Sequence, residues 1–186
     1  MAAIHVLSHE TIDRIAAGEV VERPSSIVKE LVENAIDAGA TAVTVEIKDG
    51  GISFIRVSDN GCGIEKSEIR RAFLRHATSK IQDAEDLLRL HSLGFRGEAL
   101  SSISAVSQTE MITKTKAELT GVRISMEGSA ETDFEEVGAP EGTTIIVRNL
   151  FFNVPARRKF LKQPATEGGY VADLMEHLAL ANSRIS

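Results

Sequence analysis

At 186 residues, with 42% hydrophobic and 26% charged side chains, the chain has the arithmetic of one ordinary domain, which excludes disordered, collagen-like and repeat architectures. A fold of this size removes roughly 70% of its unfolded surface from water, so it needs no disulfides; the single cysteine, Cys62, and the lack of a basic-then-apolar leader point to a reducing, intracellular setting. The net charge of −6, with 4% aromatics and no Trp, argues against a chain given over to coating nucleic acid, and no apolar run nears the ~18 residues of a membrane span.

A short helix is expected over residues 10–17, where Ile12, Ile15 and Ala16 fall at helical spacing and Ser8 can cap. Gly18 and Pro24 punctuate it. The next helix should span about 27–38: Ser25 or Ser26 caps it, Ile27, Val28, Leu31, Val32, Ala35 and Ile36 fill one side, and Gly39 suits the position just past its end. Alternation over 41–47, turn chemistry at Asp49-Gly50-Gly51 and a second apolar run over 52–58 make a β-hairpin. A Gly-rich loop, Asp59-Asn60-Gly61-Cys62-Gly63, leads into a helix near 65–74. A polar stretch over 75–94 is expected to be mobile, and another helix starts about Gly97. Strand-type runs at 111–114, 122–126 and 143–147 precede a closing helix around 171–181. The simplest packing is α+β: an antiparallel-rich sheet with helices on one face.

Three segments can carry chemistry. On the second helix Glu30 and Asn34 are i, i+4 neighbours with Asp37 close by, a carboxylate that can take a proton from water beside an amide oxygen that can ligate a hard cation. Taken alone, they are also the wet side of an amphipathic helix. In the loop 59–63, Asp59 can accept from an exocyclic amine, and Gly61 and Gly63 let the backbone approach a flat ligand; Asp-Asn-Gly is equally a common turn. The string Gly94-Phe95-Arg96-Gly97-Glu98-Ala99-Leu100 opens a helix whose N–H groups would receive an anion, or is a plain Gly-rich helix entry. No P-loop and no Rossmann glycine pattern is present, and the histidine spacing offers no zinc motif. The segment 151–163 holds Arg157, Arg158, Lys159 and Lys162 with no acid; it is a patch for DNA phosphates or a solvated face.

In this order, Glu30-Leu31-Val32-Glu33-Asn34-Ala35-Ile36-Asp37-Ala38, Asp59-Asn60-Gly61-Cys62-Gly63-Ile64, the 94–100 string and Gly142-Thr143-Thr144 resemble the four ATP-binding motifs of the GHKL ATPases: gyrase B subunits, large heat-shock chaperones, histidine kinases and the MutL family of DNA mismatch repair proteins. The last of these fits best. Ile15-Ala16-Ala17-Gly18-Glu19-Val20-Val21-Glu22-Arg23-Pro24, Phe73-Leu74-Arg75-His76-Ala77-Thr78-Ser79-Lys80, the 94–100 string and Phe151-Phe152-Asn153-Val154-Pro155-Ala156-Arg157 closely resemble it, over nearly the whole chain. The Phe151 string disfavours a gyrase-type subunit, and no phospho-acceptor histidine helix precedes the motifs.

The resemblance implies a Bergerat-type two-layer α/β sandwich, its sheet mixed and largely antiparallel. It implies ATP and Mg²⁺ as cofactors, Glu30 as general base, Asn34 as Mg²⁺ ligand and Asp59 as the adenine selector. Gly61 and Gly63 would approach the base, with Thr143 supporting it through water; Asp37 would join the nucleotide site. Thr78, Ser79 and Lys80 would belong to a lid, and Gly94, Phe95, Arg96, Gly97, Glu98, Ala99 and Leu100 would cradle the terminal phosphates. Residues 1–22 would be an arm and 23–186 the core of an N-terminal ATPase domain that lacks a following transducer domain and a C-terminal dimerisation domain. By resemblance the protein is cytoplasmic and an ATP-gated homodimeric clamp, meeting DNA without sequence preference, mismatch sensors and downstream repair proteins. The alternative is a nucleotide- and partner-binding module without turnover of its own, since family members take a phosphate-contacting lysine from the next domain.

Overall fold

The alternation of residues 43–59 forms the hairpin of β1 (Val43–Lys48) and β2 (Phe54–Asp59), paired antiparallel from Val43 opposite Asp59 to Lys48 opposite Phe54. The structure is a computed structural model that describes residues 5–6, 9–77 and 97–186. Two helices precede the hairpin, α1 (His9–Val20) and α2 (Pro24–Asp37). After it come α3 (Ala99–Ala105), β3 (Gln108–Lys114), β4 (Gly121–Glu127), β5 (Ala130–Val137), β6 (Gly142–Arg148), α4 (Pro155–Phe160) and α5 (Pro164–Ala181). The strands make one sheet in the order β1-β2-β6-β3-β4-β5, and every described pairing is antiparallel.

Period-two burial gives the sheet two unlike faces. Ile55, Val57, Met111, Val122, Ile124, Met126, Ile145 and Val147 point inward and are buried, covered by Ile27, Val28, Leu31 and Val32 of α2, Ile103 of α3 and Val171 of α5. The residues between them carry exposed ion pairs: Arg56 to Glu46 at 2.7 Å, and Arg123 to Asp133 at 3.0 Å and Glu135 at 2.7 Å. The expected α+β, two-layer arrangement with helices on one face is what forms.

Helix α2 starts three residues earlier than the spacing predicts. Pro24 occupies its first turn, where a missing N–H costs nothing, and Arg23, not a serine, is the N-cap residue. At its other end Gly39 stands where expected: Gly39 N–H donates to the Ile36 carbonyl at 2.9 Å and Ala40 N–H to the Ala35 carbonyl at 3.1 Å, a Schellman closure. Ser8, the proposed cap of α1, lies outside the described residues, as does most of the stretch expected to be mobile.

Helix α4 was not expected, the closing helix begins at Pro164 instead of about Val171, and two further elements depart from the sequence pattern. The helix expected over 65–74 is instead a run of turns ending in a short 3-10 turn, Arg71–Phe73. Only Ile69 and Phe73 of this segment are buried, too narrow a stripe to hold a helix, while Lys66 and Arg70 reach outward to Glu136 and Glu131. Those partners belong to β5, which is acid-rich for a strand: its sequence is Ala-Glu-Thr-Asp-Phe-Glu-Glu-Val. It survives as an edge strand because Phe134 packs under the Arg70 guanidinium, 3.8 Å from the ring centroid, and its acids discourage further edge pairing.

The string Phe151 to Arg157 is a plug in the fold. Phe151 is fully buried, its N–H donates to the Val106 carbonyl at 2.7 Å, and Asn153 Nδ2 donates to the Ala105 carbonyl at 2.9 Å, tying the turn after β6 to the end of α3. Truncating the inner face should cost far more than truncating the outer one. In urea unfolding, Ile124→Ala is expected to lose about 2–5 kcal/mol and Glu46→Ala less than about 1 kcal/mol; equal losses would contradict the two-faced sheet.

Candidate functional site

The buried stripe of α2 fixes the helix's rotation against the sheet, and helical periodicity then puts Glu30 and Asn34 half-buried at its margin. Four residues apart, they are neighbours on one flank, with Cβ atoms about 5–6 Å apart. Asp37, beyond them, is exposed. Glu33, the other acid of the motif, is buried and faces Lys29 Nζ at 3.6 Å.

The loop after β2 is stitched to the chain leaving α2. Cys62 N–H donates to the Ala38 carbonyl at 3.0 Å, and Asn60 Oδ1 accepts from the N–H groups of Thr41 and Ala42 at 2.8 and 2.9 Å. Gly61 lies so close to this junction that an added Cβ would stand 2.8 Å from Ala38 Cβ and 2.9 Å from Asp59 Oδ1, inside ordinary contact. Gly63 packs likewise on the Lys114 carbonyl of β3. Asp59 ends β2 half-buried and takes the Gly61 N–H on Oδ1 at 2.8 Å. Burial pushes its carboxyl above the usual range, against the downward pull of the Gly61 and Thr143 backbone amides.

Strand β6 brings the fourth motif beside the second, with Thr143 paired opposite Asp59 and Thr144 opposite Ser58. Gly142 makes this approach possible. Its φ is +111°, and a Cβ there would overlap the Asp59 carbonyl oxygen. On the far side, Thr113 of β3 is buried, and its Oγ1 lies 2.9 Å from Ile64 N, 3.1 Å from the Gly142 carbonyl oxygen and 3.0 Å from Thr143 Oγ1. One hydroxyl thus joins three segments. Neither Asn60 nor Thr113 was singled out by sequence reasoning, though a threonine on the inward face of a strand always needs a polar partner.

Gly97, Glu98, Ala99 and Leu100 open α3, whose first internal bond runs from Ser102 N–H to the Glu98 carbonyl at 2.9 Å. Helix α3 packs against both α1 and α2. Gly97 abuts the Ala77 carbonyl, and Glu98 Oε1 meets His76 Nδ1 at 3.0 Å, so the chain on either side of residues 78–96 is held together. Thr78, Ser79, Lys80, Gly94, Phe95 and Arg96 lie outside the described residues.

The basic segment divides. Arg157 turns inward, its Nη1 donating to the Gly18 carbonyl at 2.8 Å and to the Val21 carbonyl at 3.4 Å, so it closes the end of α1. Arg158, Lys159 and Lys162 are exposed, and between them Phe160 is 84% exposed.

The family described as histidine kinase-, DNA gyrase B-, and HSP90-like ATPase matches residues 22–149. Among curated relatives, the DNA mismatch repair protein MutL of Agathobacter rectalis is 68% identical over all of this chain and 29% of its own length. That of Caldanaerobacter subterraneus subsp. tengcongensis is 53% identical over all of this chain and 32% of its own length. The chain therefore spans less than a third of either relative. Among solved structures, the Aquifex aeolicus MutL ATPase domain complexed with ADP superposes with a TM-score of 0.71 and 39% identity, covering 89% of this chain and 58% of that one. The N-terminal domain of a DNA repair protein reaches a TM-score of 0.78 at 32% identity, covering 94% of this chain and 50% of that one. By its fold, its four motifs and these matches, the chain belongs to the histidine kinase-, DNA gyrase B-, and HSP90-like ATPase family, among its MutL-type ATPase domains.

Proposed function

We propose that this chain binds ATP with Mg²⁺ and hydrolyses it slowly, as the ATPase domain of a DNA mismatch repair protein that closes into a homodimeric clamp when nucleotide binds. The observation that carries the reading is the stitching of the Asp59 loop to the end of α2 and, through Gly142, to the start of β6. An acceptor suited to adenine thus lies next to the helix that bears Glu30 and Asn34.

The residues suit the two groups they would hold. A magnesium ion on a nucleotide needs only one or two protein oxygens, the rest coming from phosphates and water. The half-buried Asn34 amide meets that need, and among the described residues no cluster of three His, Cys, Asp or Glu forms a cage of another kind. When bound, Mg²⁺ held by Asn34 would supply positive charge against the charge that develops on the phosphates. Glu30 would orient the attacking water and take its proton. Asp59, when ionised, would accept from the exocyclic amine of adenine, with Gly61 and Gly63 giving the base room and Thr143 supporting it through water. Gly97 and the amides of the α3 entry would face the terminal phosphates, with Asp37 and the 78–80 and 94–96 segments completing the site.

The arm, residues 1–22, would take part in closure, so turnover would be gated by that step and not by chemistry. Partners would be DNA, mismatch sensors and downstream repair proteins, in an intracellular setting; no described helix is long and apolar enough to cross a membrane.

Glu30→Ala should retain ADP affinity while lowering steady-state hydrolysis about 100-fold or more; unchanged hydrolysis would remove Glu30 from the base role. Because the ionised Asp59 accepts from the amine more strongly than the protonated acid does, and burial raises its pKa, ADP affinity should fall with acidification at a pH above the ordinary carboxylate value of 3.8. Asp59→Asn should bind weakly and lose that pH dependence, as read by calorimetric titration from pH 4 to 8. For DNA, neutralising Arg158, Lys159 and Lys162 together should flatten the plot of log affinity against log salt by roughly 0.9 for each phosphate that is no longer neutralised; an unchanged slope would exclude α4 from the interface.

A further inference from the structure

The contacts of Thr113 determine which way a hydrogen points. Its hydroxyl owns one hydrogen and two lone pairs. The contact with the Gly142 carbonyl, 3.1 Å, can only use that hydrogen, since a carbonyl donates nothing. The contact with Ile64 N, 2.9 Å, can only use a lone pair, since an amide only donates. For the third contact, 3.0 Å to Thr143 Oγ1, a lone pair alone remains, so Thr143 must donate to Thr113. The Thr143 hydroxyl then has no hydrogen left, and on the side away from Thr113 it offers lone pairs only.

Thr143 stands opposite Asp59 in the β2–β6 pairing, and Asp59, when ionised, is also an acceptor. These two side chains, and a water bridging them, which must give one hydrogen to each, would therefore offer the six-position of a purine acceptors only. An amino group there donates to them. A carbonyl there meets them lone pair to lone pair, which leaves polar groups unmatched in a half-buried site, the kind of mismatch that discriminates strongly.

We propose that Thr113, which does not touch the base, is a positioning residue that sets base specificity. By accepting the Thr143 hydrogen it keeps that wall of the pocket acceptor-only, favouring 6-amino over 6-oxo purine nucleotides. The inference rests on the adenine reading of Asp59 and Thr143 given above.

The test is equilibrium binding of ADP and of inosine diphosphate, which carries a six-position carbonyl, to the 186-residue chain and its variants. The wild type should prefer ADP. Thr113→Val keeps the shape and removes the hydroxyl, freeing Thr143 to donate; the ratio of ADP to inosine diphosphate affinity should narrow about tenfold, equivalent to about 1.4 kcal/mol. Thr113→Ser should keep the wild-type ratio. Thr143→Val should narrow it too, and the double variant should go no further. A wild-type ratio in folded Thr113→Val, or equal weakening of both nucleotides, overturns the proposal and marks Thr113 as scaffold alone. Should Thr113→Val lack the wild-type far-ultraviolet spectrum, Thr113→Cys replaces it: its weakly bonding thiol should give a smaller narrowing, and an unchanged ratio overturns the proposal. A wild type that binds neither nucleotide, or both alike, fails at the adenine reading itself, a result separate from any effect of Thr113.

Discussion

The site depends on one place where two backbones nearly touch. The start of β6 lies against the Asp59 carbonyl, in the space a side chain at position 142 would take. That approach puts Thr143 opposite Asp59, lets Thr113 reach from β3 to Thr143 and the Gly142 carbonyl, and anchors the loop whose other end is bonded to the chain leaving α2. The ATPase motifs are far apart in sequence, and a sheet with central β6 is what makes them neighbours: β6 pairs with β2 on one side and β3 on the other.

Electrostatics and packing divide the labour. Inside, nearly every large buried side chain is apolar, and the polar exceptions are mostly small hydroxyls, Ser101, Ser102, Ser104, Ser107, Thr109 and Thr113, clustered along α3 and β3. Such groups tolerate burial when they find a near partner, as Ser107 does with the Ile103 carbonyl at 2.6 Å. Outside, charge is spent on strand-to-strand pairs and on clamping the turns at 65–74 to an edge strand, where single pairs stabilise little but fix register.

Much of this was legible from the residues. Helix α2 and the hairpin carried strong periodicity and clear punctuation, and they formed within a few residues of expectation. Strand β5 was not legible, because its stability comes from Arg70 and Lys66, some 60 to 70 residues away, and not from its own composition. The expected helix at 65–74 failed for a related reason: only Ile69 and Phe73 face the core, and Lys66 and Arg70 are drawn outward to β5. Within the site, the motif residues were visible as types at a spacing, whereas Asn60 and Thr113 act through bonds to distant backbone, which no local pattern announces. Arg157 shows the same limit, reading as surface charge in a basic run and yet turning into the protein.

That arginine binds two distant stretches into one unit. Its guanidinium fills the space a side chain at Gly18 would need while holding two carbonyls at the end of α1. A side chain at position 18 would therefore push the guanidinium aside and release the two carbonyls it holds. A chain that lost the arginine would leave the carbonyls of Gly18 and Val21 to find another donor.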